Sequence, residues 1–184
     1  VMAVRACKRT QPHSKPFKKQ TPTRQTRRKR MPTPKAGIHP KNTITLMDII
    51  QETRQDKGYP KTGAITLFIG TVRNQTSNRQ VKKLELQAYE EQANKTLQAI
   101  CTTLKKREGI TDVQIHHLTG EFKPGEELVY VLVAGTHRSY VFPILQEAVE
   151  RYKKETPIFK KEHTTDRKGK TQAIWTSEQR LREG

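Results

Sequence analysis

The chain has 184 residues, room for one ordinary domain with an appendage and too few for two domains with separate cores. Hydrophobic residues make up only 32% of it and the net charge is +18, so part of the sequence contributes little to any core. No run approaches the roughly 18 consecutive apolar residues of a membrane helix, and the N-terminal stretch lacks the apolar centre of a secretory signal; a soluble, cytoplasmic protein with no membrane partner is expected.

The charge is unevenly placed. Residues 1–42 hold 13 of the 36 Lys and Arg and none of the 18 acids, so the total divides into +13 for this stretch and +5 for the rest. Pro12, Pro16, Pro22, Pro32, Pro34 and Pro40 interrupt it, and it has almost no apolar periodicity. Such a segment buries too little surface to offset its ordering entropy, which assigns residues 1–43 to a disordered basic tail and residues 44–184 to a folded domain. The cluster Arg27, Arg28, Lys29 and Arg30 suits electrostatic nucleic-acid binding, an address signal or a plain solvated tail, and nothing in the sequence selects among them. An Arg-rich organellar leader is a further reading, opposed by the prolines. Cys7 and Cys101 stand outside any CxxC or Cys/His cluster, so neither a disulfide framework nor a metal site is indicated.

From Thr45 the pattern changes. Leu46, Ile49 and Ile50 suit a short helix that ends at Asp56-Lys57-Gly58. Ala64 to Val72 is a β-rich run; Asn74 to Gln80 is a polar loop; Val81 to Tyr89 alternates, with Leu84, Leu86 and Ala88 on one face. Ala93, Leu97, Ile100, Cys101 and Leu104 recur at helical spacing, closed by Gly109, which makes Cys101 a core residue rather than a nucleophile. Asp112 to Leu118 reads as a strand, Lys123-Pro124-Gly125 as a turn, and Leu128 to Ala134 as a strand apolar on both faces and therefore central. A second main helix carries Val141, Leu145, Ala148 and Tyr152, with Pro143 expected in its first turn. After Thr156-Pro157, Ile158 to His163 alternates so that Ile158, Lys160 and Glu162 share a face. This order defines an α+β domain.

The cations of the domain gather at element ends. Arg73 follows a strand, His137 and Arg138 open a helix, Lys153 closes it, and Lys160 lies past the next turn. Helix-terminal N–H groups, Arg and Lys all suit an anion such as a phosphorylated small molecule, whereas each residue alone also reads as a surface charge or a helix cap. Lys153 and Lys160 admit a chemical role as well, because a lysine crowded by other cations gives up its proton more readily and can transfer protons or attack an electrophile. Compensation of the helix dipole is the competing reading for Lys153.

Four stretches at these positions, GAITLFIGTVRN (63–74), LELQAYEE (84–91), IHHLTGEFKPGEELVYVLVAGTHRS (115–139) and YKKETPIFKKE (152–162), resemble in that order the large, catalytic subunit of molybdopterin synthase. The resemblance implies an α/β-hammerhead fold with a mixed or antiparallel sheet and two main helices. It implies a homodimer of large subunits within a heterotetramer, each copy docking a small ubiquitin-like sulfur-carrier subunit. The carrier's C-terminal Gly-Gly thiocarboxylate would deliver sulfur to cyclic pyranopterin monophosphate, forming the dithiolene of molybdopterin in molybdenum-cofactor biosynthesis, with no metal or organic cofactor. Matched position by position, the family's substrate-binding segment falls on Thr71, Val72 and Arg73, and its His-Arg pair on His137 and Arg138. Its two catalytic lysines fall on Lys153 and Lys160, with Lys161 and Glu162 also binding substrate. Lys153 is expected nearest the thiocarboxylate as the proton-transfer group, and Lys160 against phosphate and developing negative charge. Trp175 departs from the family pattern, since it follows an insertion-like polar run, Thr164 to Lys170; the basic tail is foreign to it altogether.

Overall fold

A computed structural model describes residues 35–177. The tail assigned to residues 1–43 therefore lies mostly outside the described residues. Its last part does not: Gly37–Pro40 forms a strand, β1, paired in parallel with the segment His116 to Thr119, so regular structure begins upstream of the expected boundary. Then come α1 (Leu46–Gln55), a 3-10 turn (Tyr59–Lys61), β2 (Ala64–Thr71), β3 (Gln75–Thr76), β4 (Arg79–Ala88) and α2 (Glu90–Lys105). They are followed by β5 (Ile110–Phe122), β6 (Glu127–Gly135), α3 (Arg138–Glu155), β7 (Ile158–Thr165) and β8 (Thr171–Ser177).

The eight strands form one mixed sheet in the order β2-β6-β5-β4-β7-β8, with β1 added to β5 and β3 to β4; every pairing except β1–β5 is antiparallel. β6 is central, as its two apolar faces require. Val129, Val131 and Val133 join the cluster under α2 and α3, while Tyr130, Leu132 and Ala134 join a second cluster with Ile49 of α1 and Leu84 and Leu86 of β4. β5 joins the two parts of the sheet. Ile110 to His117 pair with β6, the strand turns at Gly120 (φ +124°), and Gly120 to Phe122 pair with β4. A 13-residue strand is longer than the seven residues read as strand from the sequence, because its second half lacks the apolar alternation of its first.

Local chemistry fixes the helix ends. Thr45 caps α1 through a reciprocal pair: its hydroxyl accepts from Asp48 N–H, and the Asp48 carboxylate accepts from Thr45 N–H at 2.9 Å. Glu90 and Glu91 place negative charge on the first turn of α2. α3 starts at Arg138, so the exposed Pro143 falls in its second turn rather than its first and removes one backbone hydrogen bond. The polar run from Thr164 is a β7–β8 hairpin: the Asp166 carboxylate accepts from Lys168 N–H (2.9 Å) and Lys170 N–H (2.8 Å), and Gly169 takes φ +80°. No helix among the described residues is long and apolar enough to cross a membrane.

Candidate functional site

A cavity of about 410 Å³ opens where the end of β2, the last turn of α3 and the start of β7 meet over β4 and β5. Each wall has a local cause. A register shift between Gly70 and Thr71 bends the end of β2 out of the ladder. Val72 beyond it is pinned in both directions, donating to the Glu126 carbonyl at 2.9 Å and accepting from Gly125 N–H at 2.8 Å. Its backbone is thus occupied, and it offers the cavity an apolar wall. Arg73 follows at the exposed rim.

Lys153 enters from α3, where a cation is favoured by the C-terminal end of the helix dipole. Its Nζ lies 5.7 Å from the ring centroid of Phe68, an aromatic face that tolerates an ammonium on the apolar side of the cavity. Lys160 and Glu162 share one face of β7, as the alternation predicted, and both line the cavity. Lys160 is only 6% exposed, and its Nζ lies 3.6 Å from Glu162 Oε1. A buried ammonium needs such a counter-charge to offset its lost hydration. The lining holds Arg73, Lys153 and Lys160 against the single carboxylate of Glu162, an excess of positive charge matched to an anion.

Of the other sequence-derived site residues, Thr71 and Val72 reach the cavity and Lys161, His137 and Arg138 do not. Lys161 points to the opposite face of β7, 4.0 Å from Glu85 and over the ring of Trp175 at 5.4 Å; two adjacent strand residues cannot face the same way. His137 and Arg138 stand at the far end of α3 from Lys153, about 22 Å away at 1.5 Å rise per residue. Both are engaged locally: His137 caps α3, its Nδ1 accepting from Ser139 N–H at 3.3 Å with Ser139 Oγ 2.8 Å away, and Arg138 Nη1 lies 3.0 Å from His137 Nε2.

Two members of the lining that bear on its chemistry, Phe68 and His117, are not among the residues singled out from the sequence. Phe68 was read only as part of an apolar strand. His117 was hidden in the pair His116-His117, which strand geometry sends to opposite faces. His116 faces a buried polar chain, with Nδ1 3.1 Å from His39 Nε2 and Nε2 3.0 Å from Gln114 Oε1; Gln114 donates to Asp112, and Asp112 accepts from Lys105. Burial, with His39 adding to it, pushes the His116 ring down to about 3. His117 faces the cavity, with its ring edge-on to Tyr152 at 6.0 Å, and burial pushes it down to about 4. A second hollow of about 610 Å³ between α1, α2 and β5 carries no comparable excess of charge, since Lys105 there bridges Asp56 (3.0 Å) and Asp112 (2.9 Å). Among the described residues no group of three His, Cys, Asp or Glu is placed to hold a metal ion.

The described residues thus form an α+β domain with a cation-rich cavity built by segments far apart in sequence. The chain belongs to the family described as MoaE protein, whose match covers residues 41–155. Among relatives, it is 34% identical over 125 residues to a probable molybdopterin synthase of Haloferax volcanii, covering 67% of this chain and 48% of that protein. It is 33% identical over 116 residues to the molybdopterin synthase catalytic subunit of Sclerotinia sclerotiorum, covering 63% of this chain and 58% of that one. The chain therefore spans about half the length of these curated relatives. In three dimensions it is similar to the crystal structure of molybdopterin synthase from Staphylococcus aureus, with a TM-score of 0.67, 26% identity, and coverage of 80% of this chain and 98% of that one.

Proposed function

We propose that this chain is the catalytic subunit of a molybdopterin synthase, a sulfurtransferase of molybdenum-cofactor biosynthesis working in the cytoplasm. Its substrate is cyclic pyranopterin monophosphate, and its sulfur comes from the C-terminal thiocarboxylate of a small ubiquitin-like partner subunit. One observation carries the reading: the cavity gathers Arg73, Lys153, Lys160 and Glu162 from two of the stretches that bear the family resemblance, about 80 residues apart in sequence. Arg73 and Lys160 hold the anionic substrate, with Thr71 and Val72 shaping the wall beside it. Lys153, at the apolar side against Phe68, transfers protons as sulfur arrives. Glu162, 3.6 Å from the Lys160 Nζ, holds that side chain in position. The subunit acts as a homodimer, and that assembly is the route by which His137 and Arg138, about 22 Å from Lys153 in their own chain, would reach a substrate: through the cavity of the second copy.

Purified chain mixed with a thiocarboxylated small subunit and cyclic pyranopterin monophosphate is expected to yield molybdopterin. Lys153→Ala is expected to slow product formation by about two to four orders of magnitude, the usual worth of a positioned proton-transfer group. No product from the wild-type chain, or full product from Lys153→Ala, overturns the reading.

A further inference from the structure

Charge alone orients a ligand poorly. Three cations around a cavity hold an anion firmly but leave its uncharged part free to turn, and sulfur delivery at defined carbons requires a defined orientation. The cavity contains a buried, orientationally fixed group suited to that task which the cationic reading leaves unused. His117 is 2% exposed, so whatever it meets beyond the protein it meets in the cavity it lines. Its Nδ1 lies 3.0 Å from the backbone carbonyl of Leu118. A carbonyl oxygen only accepts, so Nδ1 carries the proton. In a neutral imidazole Nε2 is then a lone-pair acceptor, and this tautomer is locked by backbone rather than by a movable side chain. Tyr152 of α3, edge-on to the ring at 6.0 Å, limits its rotation.

The charged and titratable groups sharing the cavity are Arg73 beyond β2, Lys153 and Tyr152 on α3, and Lys160 and Glu162 on β7. Every cation among them donates hydrogen bonds and accepts none. A heterocycle with ring N–H and amino groups needs the reverse. Resting on the function proposed above, we propose that His117 is a substrate-orienting residue, its neutral Nε2 accepting a hydrogen bond from an N–H of the pterin while the lysines and Arg73 hold the phosphate. Burial keeps the ring uncharged, so it adds nothing to anion binding and discriminates by hydrogen-bond direction.

The test measures binding of cyclic pyranopterin monophosphate and, separately, of inorganic phosphate, by calorimetric titration of the wild-type chain, His117→Phe and His117→Gln. Phe keeps the ring's bulk without an acceptor; Gln places an amide oxygen near the former Nε2. His117→Phe is expected to weaken pterin binding roughly ten- to a hundredfold, the cost of leaving a buried donor unpaired, with phosphate affinity unchanged within about twofold. His117→Gln is expected to recover most of the loss. A wild-type readout independent of folding in the variants is the His117 Nε2 nitrogen resonance, expected at its unprotonated position without ligand and displaced by the pterin but not by phosphate. Equal pterin affinity in wild type and His117→Phe, parallel loss of pterin and phosphate, or no recovery in His117→Gln overturns the inference while the proposed function stands. Wild-type chain that binds no pterin at all removes both.

Discussion

His116 and His117 make folding stability depend on pH in a calculable way. Both rings are buried and neutral in the fold, held near 3 and 4 against an ordinary value of 6.5. A base whose native value is depressed contributes stability that is complete above the unfolded value and is lost as pH falls below it, because the unfolded chain then binds protons that the native state refuses. From about pH 8 to about pH 5 an unfolded histidine becomes almost fully protonated, while neither buried ring does. At 1.36 kcal/mol per unit, each ring therefore withdraws about 2 kcal/mol, and the pair about 4 kcal/mol. Against a whole-domain stability of about 5–15 kcal/mol this is a large fraction. With a urea slope of roughly 2 kcal/mol per molar, the unfolding midpoint should drop by about 2 M. His39, lowered by burial, adds in the same direction, whereas Glu52, raised by burial and by the charge of Asp112, opposes it. Urea titrations of the wild type, His116→Gln, His117→Gln and the double variant across this range separate the contributions. Each single variant is expected to lose about half of the pH dependence and the double variant most of it, even though all start less stable at pH 8. A double variant with the wild-type slope would refute the assignment of neutral buried rings.

Other consequences follow from particular contacts. Lys160→Arg keeps the charge beside Glu162 and should retain substantial sulfur-transfer activity in a product-formation assay; near-total loss would give Lys160 a proton-transfer role instead. Gly135→Ala places a Cβ 2.5 Å from the Gly109 carbonyl oxygen and 2.7 Å from Val141 Cγ1, so chemical denaturation should show a loss of about 1–3 kcal/mol. Gly169→Ala meets no atom within 4 Å and carries only the penalty of φ +80°, about 1 kcal/mol in the same assay. Cys101, 7% exposed and pushed up to about 12 by burial, should resist alkylation in the native chain and react after unfolding in urea, as followed by peptide mass spectrometry.

The parts of the fold legible in the sequence are those whose cause is local. The stripe Ala93, Leu97, Ile100 and Leu104 specifies α2 because a 3.6-residue period leaves little else for it to be, and all four are buried. β6 reads as central because residues on both its faces are apolar, and each face meets its own core cluster. What escaped is what depends on distant partners. β1 is four residues including a proline, with no period to detect; it exists because β5 offers a parallel edge and because His39 meets His116. The second half of β5 is polar on its exposed positions and turns at Gly120, so nothing in its own pattern says that it continues into pairing with β4.

The candidate site divides along the same line. Lys160 and Glu162 were legible as neighbours because strand period alone puts them on one face, and the same period excludes Lys161 from that face. Lys153 joins them because Thr156-Pro157 stops α3 and reverses the chain within a few residues, so the last helical turn and the first strand residues must stay close. Arg73 required a long-range fact, the pairing of β2 with β6, which brings Thr71 opposite Glu127 at the end of the sheet where α3 finishes. His137 shows the limit of motif reading. It lies at the other end of β6, beyond Gly135, which pairs with Ala64, the opposite end of β2 from Thr71. One antiparallel pair therefore separates the two cation groups by its own length, a separation that a local motif cannot reveal.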